Sequence, residues 1–242
     1  MKNRTTFLVL IIAAALFASC GKEHSPENSS SRVKTYTEDV TDGTERFLMV
    51  FNLSYDGNNR ITAMTPTNSP GNYVTFTYLS NDEYRMDLYT GGVVEIAAYS
   101  FMRQSLLDST IQFNYGTESL SEKFYYDASN RLIRKKEYDE GVLNTIDYTY
   151  DGAGNMVKSS DTNGNVDMYE YYTDLVYVVP AIVPFTQSNI KTALVKKHTV
   201  ISYGNVLGSA VNTYTFDSHD RISTLKEVST EGLTSVKTYT YF

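Results

Sequence analysis

The chain has 242 residues, with 21 Lys+Arg against 28 Asp+Glu and a formal net charge of −7. That balance argues against nucleic acid as a partner, because phosphate contact needs clustered Lys and Arg. One Cys excludes a disulfide framework, and three scattered His (His24, His198, His219) leave little material for zinc or a His-dependent active site. Hydrophobics at 41% and charged residues at 20% suit an ordered domain, one unusually rich in Tyr (21) and devoid of Trp.

At the N-terminus, Lys2 and Arg4 precede an apolar stretch from Phe7 to Phe17. It is too short to span a bilayer, which takes about 20 apolar residues, and has the length of a signal peptide. Small Ala18 and Ser19 lead directly to Cys20, the one cysteine of the chain. This arrangement resembles a bacterial lipobox, with Phe17 where Leu is usual and Leu16 beside it. The resemblance implies removal of residues 1–19 and acylation of Cys20. It further implies attachment to the outer membrane of a bacterial envelope, on the periplasmic or the cell-surface side. An ordinary secretory peptide that happens to end at a Cys is the plainer alternative. Residues 20–32, polar and Ser-rich, cannot bury apolar area and are expected to be a flexible tether. Lys22 and Glu23 faintly resemble the charged export tags of Bacteroidetes surface lipoproteins.

From residue 33 onward the chain repeats. Four heptads align without gaps: Tyr55 to Ile61 (YDGNNRI), Tyr126 to Leu132 (YDASNRL), Tyr150 to Met156 (YDGAGNM) and Phe216 to Ile222 (FDSHDRI). Their starts lie 71, 24 and 66 residues apart, so the longer intervals hold worn copies near three units of 24. Tyr78 to Tyr84 and Tyr172-Thr173-Asp174 are the candidates. Ahead of each Asp, side chains alternate with period two, as in Ile146, Tyr148 and Tyr150 against Asp147 and Thr149, the pattern of a half-buried strand. The Asp is placed to cap a turn, and the Gly, Asn or Asp after it to take a left-handed conformation. Each unit is then a hairpin with strands of about eight to ten residues.

These heptads resemble YD (RHS-type) repeats. Together with the lipobox they are more closely similar to a family of Bacteroidetes lipoproteins of unknown function whose domain has a porin-like fold. The resemblance covers about residues 33–242 and supplies no catalytic or binding residues. Nine such units give roughly 13 to 16 strands, more than an open twisted sheet holds without curling. The expected fold is all-β: one up-and-down meander over residues 33–242, curled into a barrel or a strongly coiled sheet. Two irregularities interrupt it. Leu175 to Phe185 is apolar and holds Pro180 and Pro184, which predicts an excursion from the sheet, with one or two helical turns over 190–197. Gly91-Gly92 is the second, milder break. Phe242 ends the chain as in many outer-membrane barrels, but Thr238 and Thr240 precede it and mean hydropathy is −0.32. Charges over 134–137 fall on both strand faces, so neither face suits lipid.

Chemistry is sparse. The pairs Asp139-Glu140 and Asp217/Asp220 sit at turns, where capping explains them better than glycosidic acid–base catalysis. Asp161 to Asp167 alternates oxygen ligands as calcium loops do, yet its Gly falls early and the closing Glu is missing, so an Asn-Gly hairpin is favoured over a metal site. His198 is expected to be exposed. No cofactor is implied. The Tyr excess is explained first by cross-strand packing and second by an adaptable binding surface. The expected function is a non-enzymatic binding or adhesion module for glycan, peptide or protein, with membrane contact through the N-terminal lipid alone. The alternatives are a scaffold or shell component and a carboxylate-dependent glycan hydrolase.

Overall fold

The period-two runs of Tyr, Thr, Val and Phe become sixteen β-strands in the computed structural model, which describes residues 32–139, 141–178 and 191–242. The first eight are β1 (Val33–Asp42), β2 (Glu45–Tyr55), β3 (Ile61–Pro66), β4 (Tyr73–Tyr78), β5 (Glu83–Thr90), β6 (Val93–Arg103), β7 (Leu106–Asn114) and β8 (Thr117–Tyr126). The second eight are β9 (Leu132–Asp139), β10 (Val142–Tyr150), β11 (Met156–Asp161), β12 (Asn165–Val178), β13 (Lys191–Ser202), β14 (Asn205–Phe216), β15 (Ile222–Ser229) and β16 (Thr234–Tyr241). Each pairs antiparallel with its chain neighbours, and β1 pairs with β16, so the expected meander closes into a barrel. Closure leaves no unpaired edge to invite another strand.

Successive turns fall at alternate ends. The YD turns, the β4–β5 turn, Arg32 and Phe242 share one end, called proximal here, where the Phe242 amide donates to the Arg32 carbonyl. The opposite, distal end carries the short Gly-containing turns. In each YD turn one Asp carboxylate oxygen accepts the backbone N–H groups two and four residues on. The other oxygen accepts the side chain of the fourth: Arg60 on Asp56, Arg131 on Asp127, Arg221 on Asp217, and Asn155 on Asp151. Such Asx geometry satisfies donors that a tight turn would otherwise strand.

The aromatic of the motif does a second job. Seven tyrosines on even-numbered strands, six of them near the proximal end and Tyr171 midway along β12, donate their hydroxyls to a backbone carbonyl on the preceding strand. They are Tyr55 to Val33, Tyr78 to Ile61, Tyr126 to Leu107, Tyr150 to Leu132, Tyr171 to Met156, Tyr214 to Val195 and Tyr241 to Ile222, at 2.6–3.1 Å. The Arg just before the accepting residue then lies over the same ring: Arg60 over Tyr78 at 4.0 Å, Arg131 over Tyr150 at 5.0 Å, Arg221 over Tyr241 at 4.1 Å. Arg32 and Val33 play these two parts for Tyr55, completing the first unit from outside any YD heptad.

Inward side chains follow from register and burial. Tyr36 faces Phe51 on β2 and Tyr239 on β16, with ring centroids 6.0 and 5.6 Å apart, and all three are buried. With Leu53, Ile61, Leu88, Leu194 and Ile222 they form an apolar core concentrated on β1–β6 and β13–β16. The outward rows carry ion pairs, among them Arg85–Asp87, Arg134–Asp147, Arg46–Asp39 and Lys197–Glu170. Cations on a lipid-facing row at the bilayer midplane would each cost about 2–4 kcal/mol.

Four expectations change. Residues 191–197 belong to β13, not to a helix, because pairing with β12 and β14 outweighs the local Ala-Leu-Val-Lys helix pattern. The Pro-bearing stretch 179–190 lies outside the described residues, but Leu175 to Val178 continue β12 instead of leaving the sheet. Tyr172-Thr173-Asp174 is no turn: β12 runs through it, with the irregularity absorbed as register shifts around Tyr171. Gly91-Gly92 proves an ordinary two-residue hairpin, with φ of +62° and +82°.

Tyr241→Phe removes a hydroxyl and leaves the Ile222 carbonyl without that donor, so urea unfolding should show a loss of about 1–2 kcal/mol. Tyr125→Phe, on the outer face, should change stability by less than about 0.5 kcal/mol.

Candidate functional site

Two regions hold chemistry: the polar part of the lumen and the turns that ring the barrel. In the lumen, the core gives way on β7–β12 to charged and hydroxylic groups. Lys135 on β9 is buried with its Nζ 3.0 Å from Glu122 on β8 and 2.5 Å from Glu137 on its own strand. Burial works against the ammonium, but the two carboxylates outweigh it and hold its pKa above the ordinary value. Across the lumen, Glu38 accepts the Tyr36 hydroxyl at 2.9 Å and the Ser235 hydroxyl at 3.4 Å, with Lys237 at 3.9 Å. Burial, reinforced by Glu38, pushes the Tyr36 phenol far above its usual range, so it remains a donor.

His198 is not exposed as expected. Its register opposite Tyr169 and Ala210 turns it inward, where the imidazole stacks on Tyr169 at 4.8 Å and bonds Asp167 at 2.9 Å. Asp167 also accepts the Ser159 hydroxyl at 3.1 Å. The bond from His198 holds the Asp167 carboxyl below its ordinary range against the opposing effect of partial burial. Here the carboxylate is the shared acceptor and the Ser hydroxyl points to it, not to the imidazole. A serine nucleophile needs the base beside its own hydroxyl, so this trio is a polar brace. On β14, the Asn212 side-chain oxygen is buried and accepts no hydrogen bond.

The carboxylates singled out in the turns are occupied. Asp217 caps its turn, and Asp220 supplies the left-handed position at φ +57°. Asp139 ends β9, and Glu140 lies outside the described residues. The backbone N–H of Arg131 holds the Asp127 carboxyl below its ordinary range, and the Asn155 side chain does the same for Asp151. At Asp56 and Asp217 partial burial pushes the other way and the amide and guanidinium donors win. A general acid needs the opposite shift. Asp161 accepts the amides of Asn163 and Asn165 and the Asn165 side chain, so this stretch reproduces the YD turn at the distal end. Among the described residues no group of three or more His, Cys, Asp and Glu is arranged to hold a metal ion. Cys20 and His24 lie outside the described residues. The Tyr–carbonyl bonds and the Arg–Tyr stacks were missed from sequence, although Arg60, Arg131 and Arg221 stand at one heptad position with a Tyr 18 to 20 residues on.

The comparisons with known proteins agree with this geometry. The family model of the RHS repeat matches residues 126–166, which hold two YD turns. A porin-like protein from Bacteroides uniformis superposes with a TM-score of 0.64 at 11% identity, over 91% of this chain and 100% of that one. The fold is porin-like. A second porin-like protein, from Bacteroides vulgatus, matches with a TM-score of 0.44 at 14% identity, over 88% of this chain and 99% of that one. None of the curated proteins matches the chain. A porin-like barrel related to YD repeats thus accounts for both the closure and the turns.

Lys135→Met strips the countercharge from two inward carboxylates and should destabilise the barrel by about 3–5 kcal/mol, read by urea unfolding at pH 7. Lys135→Met combined with Glu122→Met should recover part of that loss. For the YD turns the folded carboxylate pKa values are depressed. Their contribution is therefore complete above about 3.9, the ordinary value, and is lost as pH falls through the lower folded values. Asp127→Asn should flatten the acid limb of stability against pH without moving it near neutrality as much as Asp127→Ala does.

Proposed function

We propose that the chain is an envelope-tethered, non-enzymatic binding or adhesion module, held by an acylated Cys20 and presenting its distal turns to a glycan, peptide or protein. The observation that carries this proposal is the polarity of the barrel. Arg32 lies at the proximal end, while the six most exposed large apolar side chains among the described residues lie at the opposite one. Single exposed hydrophobics need no explanation, but their concentration on one surface marks an interaction site. The YD-turn carboxylates Asp56, Asp127, Asp151 and Asp217 and the lumen carboxylates Glu38, Glu122 and Asp167 are engaged by donors of the fold itself, which favours binding over hydrolysis. Outward ion pairs at mid-strand favour a barrel that stands in water beside the membrane, attached by lipid and not inserted.

Glycan and peptide arrays probed with the soluble chain from Arg32 onward should give reproducible hits, and a clean negative on both would overturn the binding module. Cys20→Ala should move the protein from the membrane fraction to the soluble one; unchanged fractionation would count against the anchor.

A further inference from the structure

The six most exposed large hydrophobic side chains among the described residues are Tyr203, Tyr115, Val142, Val206, Val93 and Leu207, at 59–79% exposure. Every one lies at the distal end: Tyr115 and Tyr203 in turns, Val93, Val142 and Val206 on the first or second residue of a strand, and Leu207 beside Val206. Two of them are held against their own backbone preference. Tyr115 and Tyr203 occupy the first position of two-residue Tyr-Gly turns with φ of +47° and +48°. Such turns favour Asn-Gly, because a bulky side chain at positive φ is strained. At the proximal end Asn59, Asn130 and Asp220 follow that preference, while Gln104 and Ser105 of the β6–β7 turn are left-handed without it. At the distal tips the relaxed residue has been forgone for an exposed ring. Both side chains are left largely open to solvent, where a partner can reach them.

Charge supplies the chemistry of what meets those rings. Asp42, Glu45, Glu118, Asp139 and Glu231 are exposed at the same end, and none of them makes an ion pair among the described residues. The cation nearest this rim, Arg46, is already clamped by Asp39 through two hydrogen bonds. The Tyr203 ring rests over Gly164 of the neighbouring turn, where a Cβ would come within 3.3 Å of it, so a side chain there would displace the ring. Leu143 pairs with Tyr138 across β9 and β10 on the outer wall beside this rim, and both are exposed.

We propose that this distal rim is a docking surface for a cationic polypeptide segment, one that alternates Lys or Arg with apolar side chains. The cations meet the unpaired carboxylates and the faces of Tyr115 and Tyr203, and the apolar side chains cover Val93, Val142, Val206 and Leu207. An anionic lipid surface fits the apolar rim but is repelled by its carboxylates. The proposal rests on the binding-module function above and narrows it to one partner class and one surface.

The test uses the full-length chain and three probes: a fluorescent ten-residue peptide alternating Lys and Leu, its Glu and Leu counterpart, and phosphatidylglycerol vesicles. The Lys peptide should bind about tenfold or more tighter than the Glu peptide, with affinity falling as salt rises. The double variant Tyr115→Asn/Tyr203→Asn should weaken it by about tenfold, while its melting temperature holds or rises, since Asn relaxes both turns. Equal binding of the two peptides, an unaffected double variant, or preferential capture by the vesicles would overturn the proposal. A glycan hit on the array alongside equal binding of the two peptides would overturn this partner class and leave the binding module standing.

Discussion

The barrel depends on one short-range arrangement repeated along the chain: an Asp that organises a turn, the Arg four residues on, and a Tyr from the end of the next strand. The Asp fixes the Arg through its carboxylate, and the Arg covers the Tyr ring. The Tyr hydroxyl then closes onto the carbonyl beside that Arg. Each bond is worth only about 1 kcal/mol, but the arrangement sets where each hairpin begins relative to the last. A one-residue slip would turn every inward side chain outward, so this latch protects the register on which the core depends. β6 lacks a tyrosine in this role and is flanked by the Gln104-Ser105 turn, whose two residues both sit at positive φ.

Register in turn sorts the lumen. Where inward positions hold Tyr, Phe, Leu and Ile the wall closes on an apolar core. Where they hold Glu122, Lys135, Glu137, Asp167 and His198 it is braced by ion pairs and hydrogen bonds between neighbouring strands. These groups are stabilised by one another, which is why they read as architecture and not as a reactive centre. The outer wall shows the same economy, with charges matched across adjacent strands and surrounded by Thr and Ser.

Asymmetry between the two ends is where structure meets function. The YD turns are engaged in holding the sheet: their capping Asp side chains, the Arg four residues on and the latching Tyr are committed to one another and to the backbone. The distal turns carry exposed carboxylates and the most exposed large apolar side chains of the described residues. Under the proposed function, a tether joined ahead of Arg32 would direct the distal end away from its anchor.

From the sequence alone came the strands, the capping Asp, the left-handed turn positions and the need for so long a meander to curl, because all of these are local consequences of residue type and spacing. The worn repeat at Tyr78 to Tyr84 was legible for the same reason. Tertiary structure decided what locality cannot. Whether 191–197 forms helix or strand was settled by two neighbouring strands that supply hydrogen bonds a lone segment lacks. His198 turned inward because its partners Tyr169 and Asp167, some thirty residues away, fix its register. Closure, the division of the lumen into apolar and ionic parts, and the gathering of Tyr115, Val142 and Tyr203 at one end all arise from pairing across long stretches of chain. No window of sequence contains both partners of such a pair.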